Sequence, residues 1–530
     1  MIGMTYDSRS ATDTARRRNR YNPGNPFTRC CEGVFMDHVG RRRFRRGVRV
    51  RPGSAVLVGL LWLSAATAGA QALFTDALPA EEFAVRRTAL MARIGDGVAV
   101  LSGATETPNY VKFRQNNHVF YLTGVEVPRA ILLIDGRAKT TTLYLPPRNE
   151  RRERSEGPVL VPGEEAQRLT GIEQVLPRER FGETVAKLGT EARVVYLPQR
   201  AETLGAGTPG QATLHATASA GDPWDGRPSK ESAFLQRVTA QAPGATLRDL
   251  DPILDEMRRV KSPREIALVR EATRIAGLGL MEGMRTAAPG MHEYEVAAVA
   301  DYVFQRQGAQ GFGYFPLVAT GRNAHFPHYH GGGTRLGADD LVLFDYAPDY
   351  RYYTSDVTRM FPASGRFSPA QREIYTVYLR LYQALMTSIR PNATPRAIMD
   401  EAVKKMDAFL ASFEITDPKV KEAAGRFVDR YRTSSGRSLG HYVGMEVHDV
   451  GQPPETLQPG MIFTIEPALT IPEDRVYVRL EDVILVTETG YENMSSFVPV
   501  EIEDIERLMA EPGLAPAPAA APAAPTTGAR

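Results

Sequence analysis

Four carboxylates fall in two similarly built stretches of the chain, and their spacing points to chemistry. In residues 341–361, LVLFDYAPDYRYYTSDVTRMF, an apolar run ends in Asp345. A polar turn and a β-branched, aromatic run carrying Asp356 follow, so the segment reads as a β-hairpin. A turn centred on Tyr350–Arg351 places Asp345 opposite Asp356, roughly 5 Å apart at Cβ, where like charges repel. In residues 461–487, MIFTIEPALTIPEDRVYVRLEDVILVT, a turn centred on Glu473–Asp474 places Glu466 opposite Glu481. Two facing acid pairs in half-buried strands call for a positive partner, and a divalent metal ion is the simplest one.

Histidines complete the set. GHYVGMEVHD (440–449) supplies His441 and His448. Their odd spacing would put them on opposite faces of an unbroken strand, so a bend or bulge at Gly444 is expected to turn both inward. Four carboxylates and one imidazole form an oxygen-rich donor set that suits manganese, with cobalt, iron or zinc as alternatives. Five such side chains suit two ions about 3.5–4 Å apart, bridged by carboxylates and by a water whose pKa the ions would lower. The chain lacks HExxH, which excludes the common single-zinc helix site. A Gly-rich stretch, NAHFPHYHGGG (323–333), adds His325, His328 and His330. These three either bind metal together or sit on a lid, where a neutral imidazole would donate to an oxyanion or a leaving group.

The elements that must position these groups are legible from local signals. PAEEFAVRRTALMARI (79–94) has helical spacing, and GVAVLSG, AILLID and TTLYLP follow as strands at 97–103, 130–135 and 141–146. Alternating helices and strands make an α/β first domain over residues 79–250. Within it, RNERRERSEG (148–157) reads as a charged loop and residues 201–232 as a surface excursion. Ser262-Pro263-Arg264-Glu265 is a capping box that opens a helix running to about Thr286. HEYEVAAVADYVFQRQG (292–308) is a second helix, and Ser368-Pro369 and Thr394-Pro395 open two more. The second domain, 255–508, is therefore helices on a largely antiparallel sheet.

Charge and composition set the outer limits. The net charge of +2 hides an arginine-rich head; the remainder of the chain is mildly acidic. That distribution gives no electrostatic reason to expect nucleic-acid binding. RRRFRRGVRVRPG (41–53), an apolar run over residues 54–68 and a small-residue site make a secretory signal with expected cleavage after Ala70. The apolar run is too short for a comfortable membrane span, so the mature protein is expected in the periplasm or outside the cell without a stable membrane anchor. Both cysteines, Cys30 and Cys31, lie in this leader over residues 1–70, which removes disulfides, thiolate zinc sites and a cysteine nucleophile from the mature chain. The Pro/Ala tail, 511–530, has nothing to bury and reads as disordered.

The order Asp345, Asp356, His441, Glu466, Glu481, in the contexts quoted, resembles the metallopeptidase clan of methionine aminopeptidase, prolidase and Xaa-Pro aminopeptidase (aminopeptidase P, family M24). KSPREIALVREA (261–272) is similar to a helix of that family, and FRQNNHVFYLTG (113–124) resembles the amino-terminal domain of aminopeptidase P. The resemblance implies an α+β protein with an N-terminal α/β domain of creatinase/aminopeptidase P type and a C-terminal pita-bread domain. It implies that Asp345 chelates one ion, that Asp356 and Glu481 bridge two, and that His441 and Glu466 complete the second. Glu466 would also take a proton from a bridging water. His328 matches a histidine that assists at the scissile peptide, His448 one that contacts substrate, and Arg479 an arginine standing behind the metal ligands. Release of the N-terminal residue from peptides with proline second follows, as does a dimer or tetramer. Two positions depart from the pattern: Arg437 replaces a histidine four residues before the ligand histidine, and Ala468 replaces the glycine of E-P-G. Arg437 would alter charge at the substrate cleft. The alternatives are an Xaa-Pro dipeptidase, a metal-free creatinase-like hydrolase and a non-catalytic peptide-binding module; the complete acid set speaks against the last two.

Overall fold

The computed structural model describes residues 76–514 except 109 and 204–206. The expected leader, its cleavage site, both cysteines and all of the tail beyond residue 514 lie outside the described residues. Among the described residues no helix is long and apolar enough to cross a membrane.

The first part of the chain folds around a six-stranded mixed sheet. Its strands are β1 (Val98–Ser102), β2 (Ile131–Asp135), β3 (Thr140–Leu145), β4 (Gln174–Pro177), β5 (Val194–Leu197) and β6 (Thr246–Asp249), in spatial order β4-β3-β2-β1-β5-β6. β1–β2 and β2–β3 pair antiparallel; β3–β4, β1–β5 and β5–β6 pair parallel. Because side chains alternate across a strand, Val98 and Val100 face one core and Ala99 and Leu101 the other. The helices are α1 (Ala80–Ile94), α2 (Asn117–Thr123), α3 (Glu150–Glu156), α4 (Glu164–Thr170), α5 (Phe181–Thr190), α6 (Pro209–Gly221), α7 (Lys230–Gln241) and α8 (Asp251–Arg259). α5 and α7 contribute to the first core, whereas α1, α2 and α8 belong to a core that runs without interruption into the second half of the molecule.

One reading is corrected here and one gains an element. Residues 148–157 are not a loop: Asn149 caps α3 through the Arg152 amide, and Arg152–Glu156 pairs one turn apart, so the charges that suggested a loop support a helix. The surface excursion over residues 201–232 carries α6, built on the capping box Thr208–Gln211 and with none of its residues buried.

The second part is helical on the outside and antiparallel inside. α9 (Pro263–Thr286) starts at the Ser262 capping box and α10 (Glu293–Arg306) follows it. α11 (Pro369–Met386), α12 (Pro395–Ser412) and α13 (Pro418–Thr433) each carry proline in the first turn, and α14 (Ile502–Met509) closes the order. The strands are β7 (Gly311–Phe312), β8 (Leu317–Thr320), β9 (Leu341–Asp345), β10 (Pro348–Asp349), β11 (Thr358–Pro362), β12 (Ile462–Ile465), β13 (Ala468–Ile471), β14 (Val476–Arg479), β15 (Asp482–Val486) and β16 (Tyr491–Asn493). They form short antiparallel sheets, β11-β9-β8, β12-β15-β16, β13-β14 and β10-β7. A bridge between Thr358 and Glu481 joins the first of these to the strands of the second hairpin.

The registers differ from one hairpin to the other. In the second, Ala468 pairs with Arg479 and Ile465 with Asp482, so Glu466 and Glu481 face one another as the sequence suggests. In the first, Asp345 pairs with Thr358, not Asp356, and Tyr350 with Tyr353. The turn is Arg351–Tyr352, one residue later than expected. Since the shift moves the pairing by two residues, Asp356 keeps its face and stands diagonal to Asp345.

Candidate metal centre

Each acid sits at a strand end or a link between strands, where backbone pairing fixes it while its carboxylate reaches into one cavity. Asp345 is the last residue of β9, Asp356 precedes β11, Glu466 links β12 to β13 and Glu481 links β14 to β15. Asp345, Asp356 and Glu481 are buried; the Glu466 side chain is 30 % exposed. Arg359, wholly buried, fastens the two hairpins together. It donates to the carbonyl oxygens of Thr358 and Glu481, both at 2.9 Å, and pairs with Asp482 at 2.7 Å.

His441 comes from a loop rather than the expected strand. Its carbonyl accepts from the Thr464 amide at 2.9 Å, and the loop presses so closely on β12 that a Cβ on Gly440 would lie 1.9 Å from the Thr464 oxygen. His441 Nδ1 lies 3.1 Å from the Tyr442 carbonyl oxygen, to which it can only donate. That leaves Nε2 facing the acids. Burial lowers the imidazole's pKa, but hydrogen bonds to Asp356, Glu466 and Glu481 outweigh it and hold it well above the usual value. Without metal Nε2 is therefore protonated, and it would offer its lone pair to a bound ion. Nε2 is 3.4 Å from Asp356, 3.2 Å from Glu466 and 3.8 Å from Glu481. Ligand atoms each about 2 Å from one ion stand roughly 3 Å from one another. Asp356, His441 and Glu481 each offer a ligand atom within 4.8 Å of the others.

The electrostatics ask for cations. Arg479 pairs with Asp345, lies 3.4 Å from Glu466 and 3.8 Å from Glu481, and is the guanidinium that meets these acids. One Arg and one His stand against four carboxylates, and isolated buried charge is costly. Burial therefore pushes the Asp345 carboxyl up to about 7, and burial with the neighbouring Asp356 and Glu466 pushes Glu481 well above the usual carboxylate range. Glu481 Oε1 is buried with no hydrogen-bond partner. An oxygen-rich donor set with an orphaned buried oxygen and surplus negative charge fits divalent metal ions.

The cavity above the acids measures about 530 Å³, within the range of small-ligand sites. His328 and His448 line it, as do Phe312, Phe315 and Leu317. The rings of His441 and His448 stand 4.1 Å apart. The other sequence candidates lie elsewhere. His325 and His330 do not line the cavity; His325 packs edge-on to Phe326, and His330 lies against Phe315. Among the described residues the three histidines of this stretch form no ligand cluster. Arg437 is exposed after α13 and does not reach the cavity. The surface excursion does reach it: Gly207 and Gln211, at the start of α6, border the opening.

Sequence reasoning missed two contributors. The Tyr314 hydroxyl is 2.6 Å from Asp345 and 2.7 Å from Asp356, and so spans the first acid pair. Thr358 donates to Glu481 at 2.9 Å and accepts from Arg479 at 3.1 Å. The only signal for Tyr314 was its place in the aromatic run GFGYF ahead of the histidine stretch, and an aromatic run reads equally well as core.

Comparison with known proteins matches both halves. The model for Metallopeptidase family M24 matches residues 267–488, and that for Aminopeptidase P, N-terminal domain, matches residues 83–196. A relative from Haemophilus influenzae named Xaa-Pro aminopeptidase is 30 % identical over 455 residues, covering 82 % of this chain and 98 % of that protein. Its namesake from Escherichia coli K12 is 30 % identical over 449 residues, covering 81 % and 97 %. Among solved structures, aminopeptidase P from E. coli with the inhibitor Pro-Leu superposes with a TM-score of 0.65 at 29 % identity, covering 81 % of this chain and 98 % of that one. Proline aminopeptidase P II from Yersinia pestis gives 0.65 at 30 %, covering 81 % and 99 %.

Proposed function

The chain belongs to metallopeptidase family M24 and is a metallo-aminopeptidase, and from that premise we propose that it releases the N-terminal residue from peptides with proline in the second position, using two divalent ions. The observation that carries the reading is the convergence of Asp345, Asp356, Glu466, Glu481 and His441 on one cavity, in which a buried Glu481 oxygen has no hydrogen-bond partner. The names of the relatives supply the proline preference.

Asp345, Asp356 and Glu481 would hold the ions on the buried side, with His441 and Glu466 on the cavity side. When bound, such ions supply Lewis acidity for the carbonyl and for water. An oxygen-rich set favours manganese. Glu466 is the general base. Burial pushes its carboxyl up, but His441 and Arg479 outweigh that and hold it at about 2, so it stands ionised near neutral pH and ready to accept a proton. After attack at the carbonyl carbon, that proton passes to the departing prolyl nitrogen. His328 and His448, which both line the cavity, donate to oxygen and nitrogen of the scissile peptide. Phe312, Phe315 and Leu317 give the side chains next to the scissile bond an apolar floor.

The basic and apolar head of the sequence supports export of the mature enzyme to the periplasm or beyond. The function is tested with metal-free protein reloaded with manganese, cobalt or zinc and a panel of tripeptides and longer peptides varied at the second position. Metal-dependent release of the first residue only before proline is expected. Activity confined to dipeptides, or indifference to the second residue, overturns the proposal.

A further inference from the structure

The loop that carries His441 and His448 is not held by regular secondary structure. Between residues 440 and 450 it makes only isolated bridges, Tyr442 with Asp449 and with Phe463. Yet it brings the two histidine rings within 4.1 Å of each other. Backbone bonds to β12 and to Thr354 hold residues 441–444; the half that carries His448 has further support from α2 and from the end of α8.

Asp449 reaches back across the loop into space beside Gly444, where a Cβ would lie 2.2 Å from the carboxylate. Its carboxylate accepts from Arg258 of α8 at 2.5 Å and pairs with Lys261, just beyond α8, at 3.0 Å. The side chains of all three are 1 % exposed. A second grip lies on the other side of His448. Asn117 of α2 donates to Glu446 at 3.0 Å and to the Met445 carbonyl at 3.3 Å, and Glu446 stands 3.6 Å from Arg258. Two cations thus meet two carboxylates, so the cluster is neutral and, unlike the site next to it, calls for no ion.

A balanced, fully buried charge cluster is a poor way to gain stability, because apolar residues of equal volume commonly do as well or better. What it supplies is direction: Arg258 and Lys261 accept Asp449 in only one geometry. We infer that Arg258 and Lys261, at the end of α8 and just beyond it, and Asn117 of the first domain are positioning residues for the aminopeptidase reaction, fixing His441 and His448 through Asp449 and Glu446. Through Asn117 the first domain is then a working part of the active site. This rests on the role given above to those histidines.

The test removes one charge of each sign from the brace and leaves Lys261 and Glu446, so the net charge is unchanged. In the full chain, Arg258→Met with Asp449→Leu removes the pair, and thermal unfolding, cobalt stoichiometry, the visible spectrum of the cobalt-loaded protein and steady-state kinetics are compared with the parent. The expected result is a folded protein with the parent's cobalt stoichiometry and a lowered melting temperature, because Lys261 and Glu446 lose their partners. The visible cobalt bands shift and kcat/KM falls by about tenfold or more, as misplacement by a fraction of an ångström produces. Parental kinetics and spectrum in the folded double variant overturn the inference and leave the cluster a structural feature only. Should that variant not fold, Asn117→Ala decides, since it keeps every charge: a shifted spectrum with a several-fold loss in kcat supports the inference, and an unchanged spectrum and kcat overturn it. If the parent itself cleaves no Xaa-Pro peptide, the functional reading fails, while the cobalt spectra still test the brace.

Discussion

The hairpin that carries Asp345 and the one that carries Glu466 turn by different means. In the first, Arg351 and Tyr352 sit at φ +54° and +72°, as a tight two-residue turn of this kind requires, although glycine and asparagine are the residues suited to it. Each such residue costs about 1–2 kcal/mol. The cost is offset from the first domain. The Tyr352 ring stacks on Phe120 with centroids 3.5 Å apart, and its hydroxyl accepts from the Gln115 amide at 2.7 Å and donates to Glu126. In the second hairpin, a short helical turn at Pro472–Asp474 and a single left-handed residue, Arg475, close the loop at the surface. A turn held locally is readable from its own residues, whereas one held by a distant ring is not.

The largest expected effect treats the acids of both hairpins as one site. Glu466→Ala should lower kcat by about 10²–10⁴-fold, the usual worth of a general base, with circular dichroism unchanged. Undiminished turnover in a folded variant would separate the second hairpin from the chemistry.

Stability should then distinguish the hairpins. Tyr352→Ala removes a buried ring and is expected to cost about 3–5 kcal/mol in urea unfolding. If it proves no worse than a change in the second turn, the first domain does not hold the first hairpin.

One acid from each hairpin should also titrate in opposite senses in metal-free protein. Asp345, raised to about 7 by burial, keeps a proton in the folded state that the unfolded chain loses near pH 4. Its contribution to stability is present below pH 4 and is lost as pH rises through 7. Glu466, held at about 2, contributes above its unfolded value of 4.5 and loses that contribution as pH falls toward 2. Metal binding at pH 6 should therefore release protons, from Glu481 as well as from Asp345, which calorimetry in buffers of differing ionisation enthalpy will register. Binding at pH 6 without proton release would contradict the assignment.

The smallest effect belongs to Arg475→Gly. Relief of the left-handed strain and the added freedom of the unfolded chain oppose each other, so stability should move by less than about 1 kcal/mol. A larger loss would mean that the second turn, too, is held from elsewhere.

Much of the site was legible because its chemistry is carried by residue type. Acids on β-branched strands, and histidines beside glycines, stand out against any background. Capping boxes placed α9 and α11 for a similar reason, since cap and first turn are neighbours in sequence. His325, His328 and His330 looked equivalent; only the path of the backbone around Gly321–His325 sends His328 to the cavity and the other two away. Tyr314 and Thr358 were silent because their types are ordinary and their partners are distant.

By itself the sequence determined the candidate ligands, the second hairpin's register, and the class of chemistry, because donor type, turn residues and strand alternation are local properties. The first hairpin's register, the loop joining His441 to His448, and the fastening of both to α2 and α8 were decided only by tertiary structure. Those features depend on side chains that meet across more than a hundred residues of chain, where no local preference can specify which partner arrives.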